Sequence, residues 1–461
     1  MYTSRIYRVS PPWAQSWLLS GRAWLRGMLR EGRGMQDELL DLSRTERMDD
    51  RQLEALQVLR LQERLVQAGS EVPYYRALFA RLGFDPRDFT SLDQLASLPI
   101  LEKAQVQAAG EALCSDARIG PRFRSTSSGT TGSHLEGWRD LRSIVRENAF
   151  VWRQLQWAGV RPGDRRAWLR GDKIVPADQQ QGAFWRLNRA DRLLMLSSYH
   201  LTPARVNEYV EALERFDPVA IQAYPSALVF IAAVLDARGR RYGHACGSPR
   251  RLRAIVTSSE TLLPAQRQLL ERVFGCRVFD WYGAFERVAA IGTCEEGNYH
   301  LLSDYGYAEW QEAEDGQDLI GTGFDNRAMP LLRYRVNDRV LMEADGCGAC
   351  PCGRAFPRVR AVLGRGQDVL YGVDGHRVFM PANVFDNLPG LVAGQWRQSR
   401  PGHAELLLQF QQGRGIPDGD VEAVARRYTG AAIDIEIRCV DRIERTAAGK
   451  LPAVVHEFAA A

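Results

Sequence analysis

Lysine is almost missing from this chain of 461 residues: among 60 Lys and Arg, only Lys103, Lys173 and Lys450 are lysines. Arginine substitutes readily on a solvated surface, but not where a compact, flexible point charge is needed, so each retained lysine is a candidate for chemistry. Cysteine is scarce too, at eight, which excludes a disulfide scaffold. No apolar run is long enough to span a bilayer and no signal peptide is recognisable, so a cytoplasmic protein is expected. A formal charge of +4 is small for this length and argues against nucleic acid as the main partner. Internal repeats and low-complexity stretches are also lacking. What is present is ordinary for a globular protein: 45% hydrophobic and 25% charged residues, in a chain long enough for two or three structural units.

Between residues 5 and 33 several arginines are interspersed with Trp13, Trp17, Leu18, Leu19, Trp24 and Leu25. That pattern suits an amphipathic helix resting on a membrane surface or a partner, and more readily one docked on its own domain. A helical region is expected over 13–70, where Leu53, Leu56, Leu59, Leu61 and Leu65 recur at helical spacings. From about 140 to 275 helix-like pieces (142–157, 226 to about 238) alternate with strand-like ones (166–169, 220–224, 252–257). Alternation of this kind predicts an α/β layer architecture with sites at strand ends. Glycines at 364 and 366 punctuate the chain, and a short α+β pattern follows to residue 461. A boundary is expected there.

Ser125-Thr126-Ser127-Ser128-Gly129-Thr130-Thr131-Gly132 packs six hydroxyls and two glycines into eight residues. Such a stretch makes neither a good helix nor a packed strand, but its backbone N–H groups can wrap phosphate oxygens. No lysine follows the second glycine, so it is not a Walker A loop. Further on, Asp280-Trp281-Tyr282-Gly283-Ala284-Phe285-Glu286 follows a strand-like run and sets an aromatic, a tight turn and a carboxylate together. The aromatic can stack on a purine and the carboxylate can hold Mg²⁺ beside phosphates. Pro330 to Asp338 reads as a strand ending in an Asp suited to the two hydroxyls of a ribose. Lys450 sits on a loop after a strand at 433–440. Cys347, Cys350 and Cys352 cluster in eight residues, with Cys294 and His300 upstream; these soft ligands suit a closed, tetrahedral structural Zn²⁺ site.

In this order the pieces resemble the adenylate-forming (AMP-forming) enzyme superfamily, and most of all its phenylacetate–CoA ligase-like branch, which includes CapK-like proteins of capsule polysaccharide clusters. The landmarks are Val72-Pro73-Tyr74-Tyr75, Pro99-Ile100-Leu101-Glu102-Lys103, the hydroxyl-rich loop, Tyr282 to Glu286, Arg333-Tyr334-Arg335-Val336-Asn337-Asp338, Gly364-Arg365 and Gly449-Lys450. The resemblance implies an α/β fold with a large N-terminal domain, 1–364, and a small mobile α+β lid, 365–461. It implies that Ser127, Ser128, Gly129, Thr130, Thr131 and Gly132 hold ATP phosphates. Ser259, Glu260, Tyr282 and Gly283 would surround the adenine, Asp338 and Arg365 would take the ribose, and Glu286 would bind Mg²⁺. Lys450 would bridge the substrate carboxylate and the α-phosphate. Tyr199, His200, Ala223, Tyr224 and Pro225 would border the acyl group, whose aromatic walls suit an aryl or other compact acid. Within the cysteine cluster the resemblance favours Cys294, His300, Cys350 and Cys352, with Cys347 able to replace one of them.

Three residues depart from the superfamily pattern. His134 stands where proline is common, Asn337 replaces a glycine before the ribose aspartate, and Gln367 occupies a hinge position normally acidic or lysine. The reaction implied is ATP-dependent activation of a carboxylic acid to acyl-AMP, then transfer to a thiol, with CoA as acceptor. A carrier-protein pantetheine or another nucleophile is the second reading. The third is a nucleotide-binding scaffold without turnover, against which the joint retention of Glu286, Asp338 and Lys450 argues.

Overall fold

The structure is a computed structural model. It describes the chain outside residues 1–3, 31, 127–134, 177, 244–250, 314–315, 345–347, 366–368, 374–376, 379–380, 382, 411–414, 430–432, 447–450 and 459–461. The loop from Ser127 to Gly132, His134, Cys347, Gln367 and Lys450 therefore lie outside the described residues, as does the side chain of Arg365.

Two compact units emerge. The first comprises 1–24, 159–280 and 364–461, and the second comprises 25–158 and 281–363.

In the first unit, strands Ala254–Ser258, Ala220–Ala223, Arg166–Arg170 and Leu193–Ser197 lie side by side in that order, all parallel, and Trp185–Asn188 closes the edge antiparallel. Every residue of Leu193–Ser197 and of Ala220–Ala223 is buried, as a parallel sheet covered on both faces requires. Helix Pro225–Ala237 covers one face and is apolar almost all round, because it is itself buried. Proline at its first turn costs nothing, since the first N–H groups of a helix lack intrahelical partners. The carboxyl-terminal part of this unit has a sheet of its own, Asp434–Cys439, His403–Phe410, Leu391–Arg400 and Val454–His456, with helix Asp418–Thr429 and a separate core around Trp396, Leu406 and Val421.

The second unit sets Gly306–Ala313, Gly316–Gly323, Tyr334–Met342, Arg358–Arg365, Tyr299–Leu301 and Ala290–Thr293 in one antiparallel-rich array. Its helices include Arg33–Thr45, Asp50–Glu71 and Leu141–Trp157. The long helix Asp50–Glu71 begins with a capping box in which Asp49 and Gln52 satisfy each other's backbone N–H groups, and it buries Leu53, Leu61 and Leu65. Helix Leu141–Trp157 carries two buried arginines: Arg153 meets Asp304 at 2.5 Å, and Arg146 meets Asp41 at 2.9 Å and Asp325 at 3.0 Å.

Two strand boundaries differ from the sequence expectation. The strand before the Tyr282 landmark runs Arg277–Gly283, so Tyr282 and Gly283 are its last residues and not part of a turn after it. Asp338 lies in the middle of Tyr334–Met342 and does not end it. The neighbouring strand pairs Ile320 with Arg335 and Asp318 with Arg339, leaving residues 336–338 opposite Leu319 alone. That bulge explains Asn337: its φ is +63°, a left-handed conformation that glycine adopts freely and asparagine tolerates best among other residues.

Candidate functional site

In the second unit, the bulge turns Asp338 toward the end of strand Arg277–Gly283, where the Tyr282 hydroxyl donates to Asp338 Oδ2 at 2.6 Å. A second tyrosine–carboxylate pair is close in sequence: the Tyr334 hydroxyl donates to Glu286 Oε1 at 3.0 Å. Tyr334 is buried, and burial, followed by the Glu286 charge, holds its proton well above the ordinary tyrosine range. It is therefore a permanent donor that fixes one carboxylate oxygen. The sequence singles out Glu286 and Asp338, but gives no hint that each is oriented by a tyrosine.

The strands that flank the hydroxyl-rich stretch in sequence, Arg122–Thr126 and Glu136–Asp140, pair antiparallel from Arg122↔Asp140 to Thr126↔Glu136. Arg139 on the second of these strands donates to the Phe285 carbonyl at 2.6 Å and lies over the Phe285 ring at 4.6 Å. Burial, with Arg287 nearby, lowers its pKa to about 10, yet it stays charged at neutral pH. This cation one residue before Glu286 along the fold was not singled out by the sequence, where arginine is too common to stand out.

The first unit holds Ser259 and Glu260 just beyond strand Ala254–Ser258. Ser259 has φ +72°, and its hydroxyl accepts from the Arg170 guanidinium at 2.5 Å. Arg170 is stacked 4.8 Å from Trp168 and 5.1 Å from Tyr224, and burial lowers its pKa. Glu260 accepts from the Ser226 N–H at 2.9 Å and the Ser226 hydroxyl at 3.0 Å, so it caps helix Pro225–Ala237 at the end where negative charge is favoured. The same carboxylate accepts from the Leu451 N–H at 3.0 Å. Arg445 donates to the Ser226 hydroxyl at 2.6 Å and lies 4.0 Å from Glu260. Residues on both sides of Lys450 are thus tied to one carboxylate and one serine.

Of the residues assigned to the acyl group, Tyr199 donates to the Gly171 carbonyl at 3.1 Å, and its own carbonyl accepts from Arg442 at 3.3 Å. His200 is buried, bonded through Nδ1 to the Ser197 hydroxyl at 2.8 Å and stacked on Phe184 at 5.0 Å. Ala223 and Tyr224 are buried at the end of strand Ala220–Ala223, and Pro225 opens the following helix. A small cavity in this unit is lined by Ser198, Leu201, Ser226, Phe230, Ile443 and Arg445; the first three adjoin the five expected residues in sequence, and none of those five is among its lining.

In the second unit, one ligand atom from each of Cys294, His300, Cys350 and Cys352 lies within 4.8 Å of the others. Cys294 Sγ and Cys350 Sγ are 3.9 Å apart, and Cys352 Sγ is 3.5 Å from His300 Nε2. His300 Nδ1 faces the Phe356 carbonyl at 2.8 Å, which places the proton there and leaves Nε2 as the donor atom toward the sulfurs. Both cysteine turns are of the tight knuckle kind: Gly297 N–H bonds the Cys294 carbonyl, Gly353 N–H bonds the Cys350 carbonyl, each at 2.9 Å. Arg354 seals the flank, paired with Glu295 at 2.7 Å and lying over Trp157 at 4.1 Å. Three thiols and one imidazole at these separations fit tetrahedral Zn²⁺.

With this geometry in place, the comparisons with known proteins define the class. The fold is shared with a 2-hydroxyisobutyryl-CoA ligase solved in the postadenylation state with 2-HIB-AMP: TM-score 0.68, 18% identity, 90% of this chain and 92% of that one. It is the fold of the adenylate-forming superfamily. The chain's sequence relatives include phenylacetate–coenzyme A ligases and Protein CapK, matched at 24–27% identity. It is 26% identical over 339 residues to phenylacetate–coenzyme A ligase of Thermus thermophilus, covering 69% of this chain and 71% of the relative. It is 27% identical over 247 residues to Protein CapK of Staphylococcus aureus, where the match spans about half of each chain, 53%. No protein-family model matches the chain.

Proposed function

We propose that the chain activates a carboxylic acid with ATP and passes the acyl group to CoA. In the first step a carboxylate oxygen attacks the α-phosphorus, the bond to the β-phosphate breaks, and pyrophosphate leaves. In the second, a thiolate attacks the acyl carbon and AMP leaves. The observation that carries this reading is the pair of carboxylates, Asp338 and Glu286, each oriented by a tyrosine hydroxyl, at 2.6 and 3.0 Å. A ribose needs an acceptor with a fixed direction, and a triphosphate needs a charge centre beside it.

Asp338 and Arg365 would take the ribose, Tyr282 would stack on the base, and residues 127–132 would hold the phosphates with Arg139 nearby. Glu286 would hold Mg²⁺, which supplies charge neutralisation on the phosphates. Lys450 would offset the repulsion between two anions in the first step, when positioning and charge dominate the barrier. The small carboxyl-terminal domain, 365–461, would swing as a lid and withdraw Lys450 for the second step. Tyr199 and Tyr224 would border a compact acid. Zn²⁺ in the Cys294, His300, Cys350 and Cys352 cluster would be structural, clamping two turns. A cytoplasmic location supplies ATP and CoA together. The similarity to phenylacetate–coenzyme A ligases supports CoA over a carrier-protein pantetheine.

ATP–pyrophosphate exchange over a panel of aryl and short branched acids tests the first step. Adding CoA, or a phosphopantetheinylated carrier, and reading product masses tests the second. Exchange with none of the acids would remove the enzymatic reading; a carrier adduct without acyl-CoA would replace CoA as acceptor.

A further inference from the structure

The first thirty residues contain Arg5, Arg8, Arg22, Arg26 and Arg30 and not one Asp or Glu, in a chain that carries 56 acidic residues. They form helices Arg5–Val9 and Pro12–Arg30. The longer helix docks through polar contacts on one side. Ser16 and Ser20 hydroxyls accept from the Leu187 and Arg189 N–H groups at 3.3 and 2.9 Å, and Gln15 accepts from buried Arg186 at 2.5 Å. The two serines thus satisfy one backbone N–H of the edge strand Trp185–Asn188 and the one just past its end. Leu19 and Ala23 are buried along the same side.

The other side is apolar and faces solvent. Trp13, Trp17 and Trp24 are 69%, 61% and 60% exposed, and Leu18, Leu25 and Met28 are exposed with them. At about 100° per residue, these six span an arc of roughly 140°, with the three tryptophans within about 40° of one another. On the preceding helix Ile6 and Val9 are exposed as well. Arg22 and Arg26 are exposed beside the arc, and the guanidinium of Arg189 lies over Trp17 at 5.5 Å. An apolar face this wide, turned outward on a helix whose inward face mixes Gln15, Ser16 and Ser20 with Leu19 and Ala23, is not what docking alone requires.

We propose that this face seats the protein on an anionic lipid surface, with the helix lying in the plane of the interface. Tryptophan is suited to the boundary between acyl chains and headgroups, and arginines beside it draw in negatively charged lipids. A second copy of the chain is disfavoured as occupant, because a self-complementary contact would bring the acid-free arginine segments of two chains together. Among the described residues no helix is long and apolar enough to cross a membrane, so attachment is peripheral.

The test is partition of the full chain onto vesicles of phosphatidylglycerol in phosphatidylcholine against phosphatidylcholine alone, read by sedimentation and by quenching of tryptophan fluorescence with brominated acyl chains. Binding to the anionic vesicles is expected, with quenching, weakening as salt rises. Replacing Trp13, Trp17 and Trp24 by Ser should abolish the quenching. Arg22→Gln with Arg26→Gln should cut anionic binding by about tenfold or more, each basic residue near the surface being worth about 1 kcal/mol. This pair is surface-exposed and reads the proposal even if the tryptophan variant fails to fold. Equal partition onto neutral and anionic vesicles would overturn it. So would a stable wild-type dimer that the tryptophan substitutions dissociate, or capture of an acidic protein by this face without lipid.

Discussion

The hydroxyl of Tyr282 donates to Asp338 Oδ2 across 2.6 Å, joining the end of one strand to the bulge of another. The bond fixes one carboxylate oxygen and with it the direction in which the group points. If Asp338 takes the ribose, the phenol acts as a positioning residue and not only as a stacking ring. Tyr282→Phe keeps the ring and removes the bond. The expected result is a kcat/KM for ATP about tenfold lower, carried mainly by KM, since a hydrogen bond to a charged group is worth about 1.5–3 kcal/mol. Asp338→Ala should lose more. Unchanged KM for ATP in both variants would mean that this pair holds the bulge together and nothing else.

Glu260 makes a different prediction, because it anchors the residues around Lys450 while also capping a helix. Lys450→Ala should lower ATP–pyrophosphate exchange by on the order of 10²–10³, the typical loss when one charge-stabilising group is removed. Thioester formation from supplied acyl-AMP should survive. Glu260→Gln keeps the size but loses the charge facing Arg445. It should reproduce the same split in milder form. A variant equally impaired in both half-reactions would instead report damage to helix Pro225–Ala237, visible as a lower melting temperature.

How much of this was legible from sequence follows from range. The alternating pattern over 140–275 is a local signal, as is each short-spaced pair of soft ligands, 294 with 300 and 350 with 352, and local signals survive in one dimension. That the two pairs meet across more than 50 positions is a long-range fact. The bulge at 336–338 is not local: it exists because the neighbouring strand offers one residue opposite three. Glu260 reaching Leu451 spans 191 positions, and Tyr334 reaching Glu286 spans 48. Arg139 and Arg170 were hidden for another reason. In a chain where arginine replaces nearly every lysine, a functional guanidinium looks like the solvated ones until its burial is seen.

The cysteine cluster predicts a composition as well as a stability. Purified protein should hold about one zinc per chain by elemental analysis, as a closed set of four soft ligands implies. Cys350→Ser should release it and lower the melting temperature. Structural zinc contributes to folding outright, so a loss of several kcal/mol is expected. Because the cluster shares no residue with the proposed nucleotide site, any protein that remains folded should keep its KM for ATP. Metal-free protein with wild-type stability would make these thiols ordinary buried cysteines.

Asp325 supplies a pH dependence. It is held 3.0 Å from Arg146 and near Arg64, Arg60 and Glu38, and burial outweighs the arginines and pushes its pKa up to about 6. An acid whose folded pKa lies above its unfolded value binds its proton more tightly when folded. Its stabilising contribution is complete below about pH 4, near the unfolded aspartate value, and is lost as pH rises through about 6. Asp325→Asn, which cannot ionise, should remove that slope. Denaturant midpoints of wild type and variant should diverge between pH 4 and 7, the wild type losing on the order of 2 kcal/mol relative to the variant across that window. Parallel curves would show that Arg146 keeps Asp325 ionised throughout, its attraction exceeding the cost of burial.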